Sequence, residues 1–392
     1  MRNKKIYAGI LISLGVGIGG LSLSGIGTDK TEEVRISYEE PLIILNQGLG
    51  LGLDKEDGTY YPMDLLVAQR PTGLYVKAAP ELFDGMLDES EYLVISGDVN
   101  ITIYAKNYDE ESGLFDFSDL SLNWEEGEYH ITLYLNDIVA ERDVTFRAMK
   151  DIRVWVVPIS ALYSGEWAGV DAVPEDLDDF TRKVYPLGSD DLEWRVPRED
   201  DMQTVALDYE LNSAFGRYRV WKWLCRLKNE EEQYDLILGL VPFNMYANEN
   251  SDTADITGFT FGENVSVISL ADTSPSVTVA HEIGHCYMFG DEYENGTVNM
   301  EMNMIPYGMK GRDMQDLNRI VFGDCEYIVS GAGNGAQGTG TLVYKEQYPF
   351  DIETGEIITH NMTSFMGLAG YEESEYWTTT DIWTEMYHAL AE

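Results

Sequence analysis

The sequence predicts an α+β protein, with an antiparallel β-sandwich over residues 30–150 followed by an α/β domain over 151–392. Three observations predict it. Before residue 150, stretches such as EYLVISGDVNITIYAKN and EYHITLYLNDIVAERDVTFRA alternate apolar and polar residues with a period of two. After Asp151, short and nearly all-apolar runs alternate with helical periods, as a sheet buried on both faces requires. The length is 392 residues with 44% hydrophobic content, enough apolar material for two domains.

The chain opens with Arg2, Lys4 and Lys5, followed by an apolar, Gly-rich run from Ile6 to about Gly27. A basic start before an apolar run has the form of a signal peptide, with Ser22, Ser24 and Gly25 marking a cleavage point. At about 20 residues the run is also long enough to stay as a membrane anchor. Both readings of residues 1–29 place the remainder outside the cytoplasm, secreted or held at the cell surface, because the basic end stays inside. In the first domain the Asn136-Asp137 pair reads as the turn of a hairpin, and the strands together read as a small sandwich of immunoglobulin-like form. His130 stands alone in one of these strands and reads as an ordinary imidazole rather than a ligand.

In the second domain, DIRVWVVPI, YDLILGLVPF and ENVSVISL read as buried strands. Helical patterns are expected from Pro174 to about Val184, whose acidic first turn suits the helix dipole, and from about Tyr209 to Lys228. A further helix is expected to begin near Ser276, where SPSVTVA offers caps and an apolar face.

That helix carries His281-Glu282-Ile283-Gly284-His285. Histidines four apart on a helix share a face, so both imidazoles can bind one zinc ion. Glu282 can then reach a water at the open coordination position and act as its general base. A catalytic zinc needs a third protein ligand. Asp291, six residues after His285, is the first choice, because Gly290 can take a positive φ, end the helix and turn the chain back. Glu292 and His360 are the alternatives. An oxyanion partner besides zinc could be Tyr371, Tyr376 or His360.

The stretch HEIGHCYMFGDEY resembles the zinc motif of metzincin-type peptidases, closest to the immune inhibitor A and IgA-cleaving metallopeptidase groups, whose motif ends in Asp-Glu-Tyr. The resemblance is tight over these 13 residues, 281–293, and looser over 151–392. It implies a metzincin-like catalytic domain, an active-site cleft between two subdomains, endopeptidase activity on a protein or peptide substrate, and a Met-turn beneath the zinc. In metzincins the third ligand falls at the spacing of Asp291, usually as His and in some groups as Asp. Met366, in NMTSFMGLAGY, is the residue nominated for the Met-turn. One departure stands out: metzincins place a Gly three residues after the second His, where this chain has Met288, and the Gly sits at 290.

The charge is strongly acidic, with 69 Asp and Glu against 26 Lys and Arg and a formal net charge of -43. Such a balance repels phosphate and excludes nucleic acid and anionic membrane surfaces as partners; contact with a membrane is expected only through an uncleaved leader. Calcium is a second cation the balance would suit, although DLDD, SDD and REDD lack calcium-loop spacing. Cys225, Cys286 and Cys325 are too few for a disulfide scaffold. Asn100, Asn264, Asn295 and Asn361 open glycosylation sequons compatible with export. GNGAQG at 333–338 fits a dinucleotide pattern but precedes no helix, so it reads as a loop. The leading expectation is a zinc endopeptidase. The alternatives are a zinc hydrolase of a non-peptide amide or ester and a surface adhesion protein with a vestigial site, against which the intact Glu282 speaks.

Overall fold

The computed structural model describes residues 40–79, 87, 89–97, 100–163, 165–196, 205–211, 214–231, 233–243, 257–260, 264–287, 289, 291–293, 296–298, 341–367 and 375–391. It is an α+β fold, mostly β-sheet with few helices. The leader read over residues 1–29 lies outside the described residues. Among these, no helix is long and apolar enough to cross a membrane.

The N-terminal region forms two larger sheets beside the short antiparallel pair Leu51–Leu53 with Tyr60–Pro62. One runs in the order Leu42–Asn46, Gly73–Lys77, Leu114–Asp116 and Asn107–Asp109. The other runs Leu66–Val67, Ile138–Arg147, Gly127–Leu135, Tyr92–Ser96 and Ile101–Tyr104. Alternation puts Ile131, Leu133 and Leu135 on one face of the second sheet. There they share an apolar cluster with Ile43, Leu45, Leu74 and Val76 of the first. The hairpin turns at Asn136, whose φ of 52° is the left-handed conformation that Asn tolerates best after Gly.

The second region is built on a seven-stranded sheet whose long strand Ile152–Tyr163 lies parallel to Leu236–Val241, which in turn lies parallel to Val265–Ser269. These are the apolar runs of the sequence, and the last two are buried along their whole length. The short strand Gly258–Thr260 pairs antiparallel with Val265–Ser269 and closes that side. Four α-helices are described: α1 (Asp179–Val184), α2 (Ala214–Glu230), α3 (Pro275–Cys286) and α4 (Thr380–Leu390). α1 is shorter than its sequence pattern, because residues 175–178 form turns before it. α2 starts later than expected: Val205–Glu210 is instead a strand alongside Ile159–Leu162, so Tyr209 belongs to the sheet.

The two regions are stitched together by the C-terminal segment. Trp377 Nε1 donates to Gly48 O (2.8 Å), and from α4 Trp383 Nε1 donates to Leu65 O (3.2 Å). Arg70, only 2% exposed, reaches out of the N-terminal region into the last turn of α1. It donates to the carbonyls of Arg182 (2.9 Å), Lys183 (2.8 Å) and Leu187 (2.7 Å) and lies over the Trp383 ring. A cation at a helix C-terminus satisfies carbonyls that the helix itself leaves open.

Candidate metal centre

α3 starts where the sequence places it, with Ser274 as N-cap and Pro275 in the first turn, where a missing N–H costs nothing. Its apolar face packs on Val265–Ser269 and on α1. Its C-terminus differs from the expectation that Gly290 ends it. The helix stops at Cys286, the Tyr287 N–H bonds to Gly284 O (3.0 Å), and the Phe289 N–H reaches back to Gly284 O at 3.1 Å. This closure spans six residues, as in a Schellman turn, and reverses the chain before position 290.

The reversal has a chemical consequence. It delivers Phe289 O to His285 Nδ1 at 2.8 Å. His281 Nδ1 lies 2.9 Å from another main-chain oxygen, Phe365 O. A carbonyl can only accept, so each Nδ1 carries the proton, and in the neutral rings each Nε2 presents a lone pair. These two Nε2 atoms face one another at 3.0 Å. Two lone pairs at that distance repel unless a cation is shared between them. Tetrahedral zinc, with bonds of about 2.0–2.1 Å, holds two imidazole nitrogens roughly 3.3 Å apart. Rings fixed through Nδ1 by backbone carbonyls, with Nε2 atoms converging, are the form in which a metal is bound. The donor set therefore fits a divalent ion, and His281, Glu282 and His285 together offer ligand atoms within 4.8 Å of one another.

Glu282 is 1% exposed. Its Oε2 accepts a hydrogen bond from Thr260 Oγ1 at 2.5 Å, the short distance expected of a hydroxyl on a carboxylate. Thr260 Oγ1 lies 2.7 Å from Ser266 Oγ, and Ser266 Oγ lies 3.2 Å from Cys286 Sγ. On the same edge strand, a Cβ on Gly258 would come within 2.8 Å of both Glu282 Cγ and Oε1. Glycine is thus what lets the strand approach the carboxylate.

Met366 is fully buried and lies under α3 at Gly284, where an added Cβ would meet Met366 Sδ at 2.6 Å and the Tyr185 hydroxyl at 3.0 Å. The segment around it is a tight turn closed by Gly367 N–H to Ser364 O (2.9 Å), and the preceding residue supplies the carbonyl on His281. Tyr185 donates to Ala280 O at 2.6 Å, and burial pushes its hydroxyl pKa far above the usual range.

The other sequence candidates divide. Asp291 lies in the strand Asp291–Tyr293, paired with Val298, immediately beyond the reversal that follows α3; its side chain lies outside the described residues. Glu292 is committed elsewhere. Its buried carboxylate accepts from Ser364 Oγ (2.7 Å) and Thr379 Oγ1 (3.0 Å), tying the Met366 turn to the N-cap of α4. Burial raises its pKa against the lowering effect of the Ser364 hydrogen bond and of Lys55. His360 is exposed and is not part of the His281–Glu282–His285 group. Tyr376 is 2% exposed within the core, and Tyr371 lies outside the described residues. Cys225 and Cys286 are thiols, the latter with its pKa pushed up to about 12 by burial; Cys325 and the 333–338 loop lie outside the described residues.

Sequence reasoning did not find Thr260, Ser266, Tyr185 or the carbonyls of Phe289 and Phe365. Main-chain oxygens carry no residue signature, and a hydroxyl 22 residues before Glu282 has no motif to mark it. A cleft of about 720 Å³ opens elsewhere, between the five-stranded sheet and the end of α4. His130, one of its lining residues, pairs there with Asp143 at 2.7 Å. The converging donors and the buried carboxylate belong to α3, and the chemistry is assigned there. Among known proteins, no family model matches the chain, and no curated protein or solved structure matches it either.

Proposed function

We propose that the protein is a zinc-dependent endopeptidase acting outside the cytoplasm, with a metzincin-like catalytic region supported by an immunoglobulin-like β-sandwich. The observation that carries the reading is the pair of His281 and His285 Nε2 atoms facing each other at 3.0 Å beside the buried carboxylate of Glu282. A purely structural site would need a fourth protein ligand and no adjacent base.

In this reading His281, His285 and Asp291 would hold the ion, which when bound would supply Lewis acidity to a scissile carbonyl and to a water. Glu282 takes the proton from that water as the water oxygen bonds to the carbonyl carbon. The C–N bond then breaks, and Glu282 returns the proton to the departing amine nitrogen. Phe365 O and Phe289 O keep both imidazoles in the tautomer that leaves Nε2 for the ion. Met366 and Tyr185 form the floor under the helix and hold its height.

The test is cleavage of an unbiased peptide library by the full chain, with and without chelator, alongside Glu282→Gln. Chelator-sensitive cleavage that is lost in Glu282→Gln, with zinc retained, is the expected result. Zinc with no peptide cleaved would transfer the reading to a non-peptide amide or ester. Equal turnover by Glu282→Gln would refute the proposed base.

A further inference from the structure

We propose that Thr260, backed by Ser266 and Cys286, is a positioning residue for Glu282, holding one carboxylate oxygen so that the base is aimed before substrate arrives. The inference rests on the peptidase reading for its kinetic consequence but not for its geometry.

The directions of the hydrogen bonds follow from proton counting. Thr260 has one hydroxyl proton, and three acceptors lie within reach: Glu282 Oε2 at 2.5 Å, Ser266 Oγ at 2.7 Å and Glu282 O at 3.3 Å. The shortest contact and the negative charge both select Oε2. Ser266 must then donate to Thr260, which uses its own only proton, so the Cys286 thiol donates to Ser266 across 3.2 Å. The result is a one-way chain, Cys286 to Ser266 to Thr260 to Glu282, in which each link polarises the next toward the carboxylate.

The chain is rigid at both ends. Thr260 and Ser266 are directly opposite one another in the antiparallel pair Gly258–Thr260 with Val265–Ser269, so their hydroxyls leave the same face of the sheet. Both are buried, at 0% and 2% exposure, and Cys286 is the last residue of the helix that carries Glu282. Gly258, two residues before Thr260, adds the space. With no side chain at 258, the carboxylate can lie against the strand with Oε2 on Thr260; any Cβ there would displace Oε1. One short strand therefore fixes the base from two directions, by a donor at 260 and by a missing side chain at 258.

The experiment compares Thr260→Val, which keeps shape and removes the donor, with Thr260→Ser, which keeps the donor. kcat and KM are measured on the fastest-cleaved library peptide, together with zinc content, and the metal-free Thr260→Val protein is crystallised. Expected are a fall in kcat of about 10- to 100-fold with KM nearly unchanged, undiminished zinc, recovery in Thr260→Ser, and a Glu282 carboxylate that leaves its site in the crystal. Unchanged kcat in Thr260→Val while Glu282→Gln is inactive would overturn the inference, as would a Ser variant no better than Val. A carboxylate that stays in place without the Thr260 hydroxyl would overturn it independently of any activity. Active Glu282→Gln would refute the peptidase reading instead, and the crystal structure would still decide the placement. If Thr260→Val does not fold, Ser266→Ala breaks the same chain one link earlier and is read in the same way.

Discussion

Met366 Sδ sits so close beneath Gly284 that a single Cβ at 284 would approach it to 2.6 Å. The glycine between the two histidine turns is therefore what allows the helix to rest on the turn that supplies His281 with its carbonyl partner. Floor and helix are fitted to one another, and the fit fixes the height of both imidazoles.

Gly284→Ala should destabilise the protein although alanine is the better helix former by about 1 kcal/mol. The added methyl must displace Met366 or the Tyr185 hydroxyl, and overpacking of a buried contact costs about 1–3 kcal/mol. Combined with Met366→Ala, Gly284→Ala should cost less than the sum of the two single losses, because the shorter side chain opens room for the methyl. Urea denaturation of the single and double variants checks this; a Gly284→Ala protein more stable than wild type would show that the floor yields freely.

Arg70 should be among the most costly residues to replace. Burial lowers its pKa to about 9, yet four main-chain carbonyls, those of Gln47, Arg182, Lys183 and Leu187, receive its N–H groups. Arg70→Met keeps the bulk and leaves those oxygens without their charged donor, a loss of about 3 kcal/mol or more. The midpoint of urea unfolding should fall with the slope unchanged. A loss below about 1 kcal/mol would show that water takes over the carbonyls and that Arg70 is not the clamp between the two regions.

His130 should titrate above its ordinary value of 6.5, because the Asp143 carboxylate accepts from its ring and favours the imidazolium. A raised folded-state pKa means that the pairing contributes fully below pH 6.5 and is lost as pH rises through the folded-state value. NMR titration of the imidazole should show the raised value in wild type and a return toward 6.5 in Asp143→Asn. Identical curves in the two proteins would mean that the pair does not persist in solution.

Much of the frame is legible because burial writes itself into composition. The strands Ile152–Tyr163, Leu236–Val241 and Val265–Ser269 stand out as apolar runs, and α3 is marked by a proline start and a four-residue histidine spacing. Tyr209 reads as helix from sequence because ALDYE, the end of a strand, runs directly toward a helical period. Gly290 has the character of a helix end, yet that end is made before it by main-chain hydrogen bonds, for which Tyr287 and Phe289 need no special side chain. Glu292 resembles a ligand by position, yet its partners Ser364 and Thr379 lie more than 70 residues onward, where no local pattern can announce them.

We propose that the facing nitrogens of His281 and His285 hold zinc. Metal analysis of the purified full chain, repeated for His281→Ala and His285→Ala, tests it most directly. One zinc bound per wild-type chain, and its loss in either variant with the fold retained, is the expected result. Wild-type protein that takes up no zinc when the metal is supplied would contradict it.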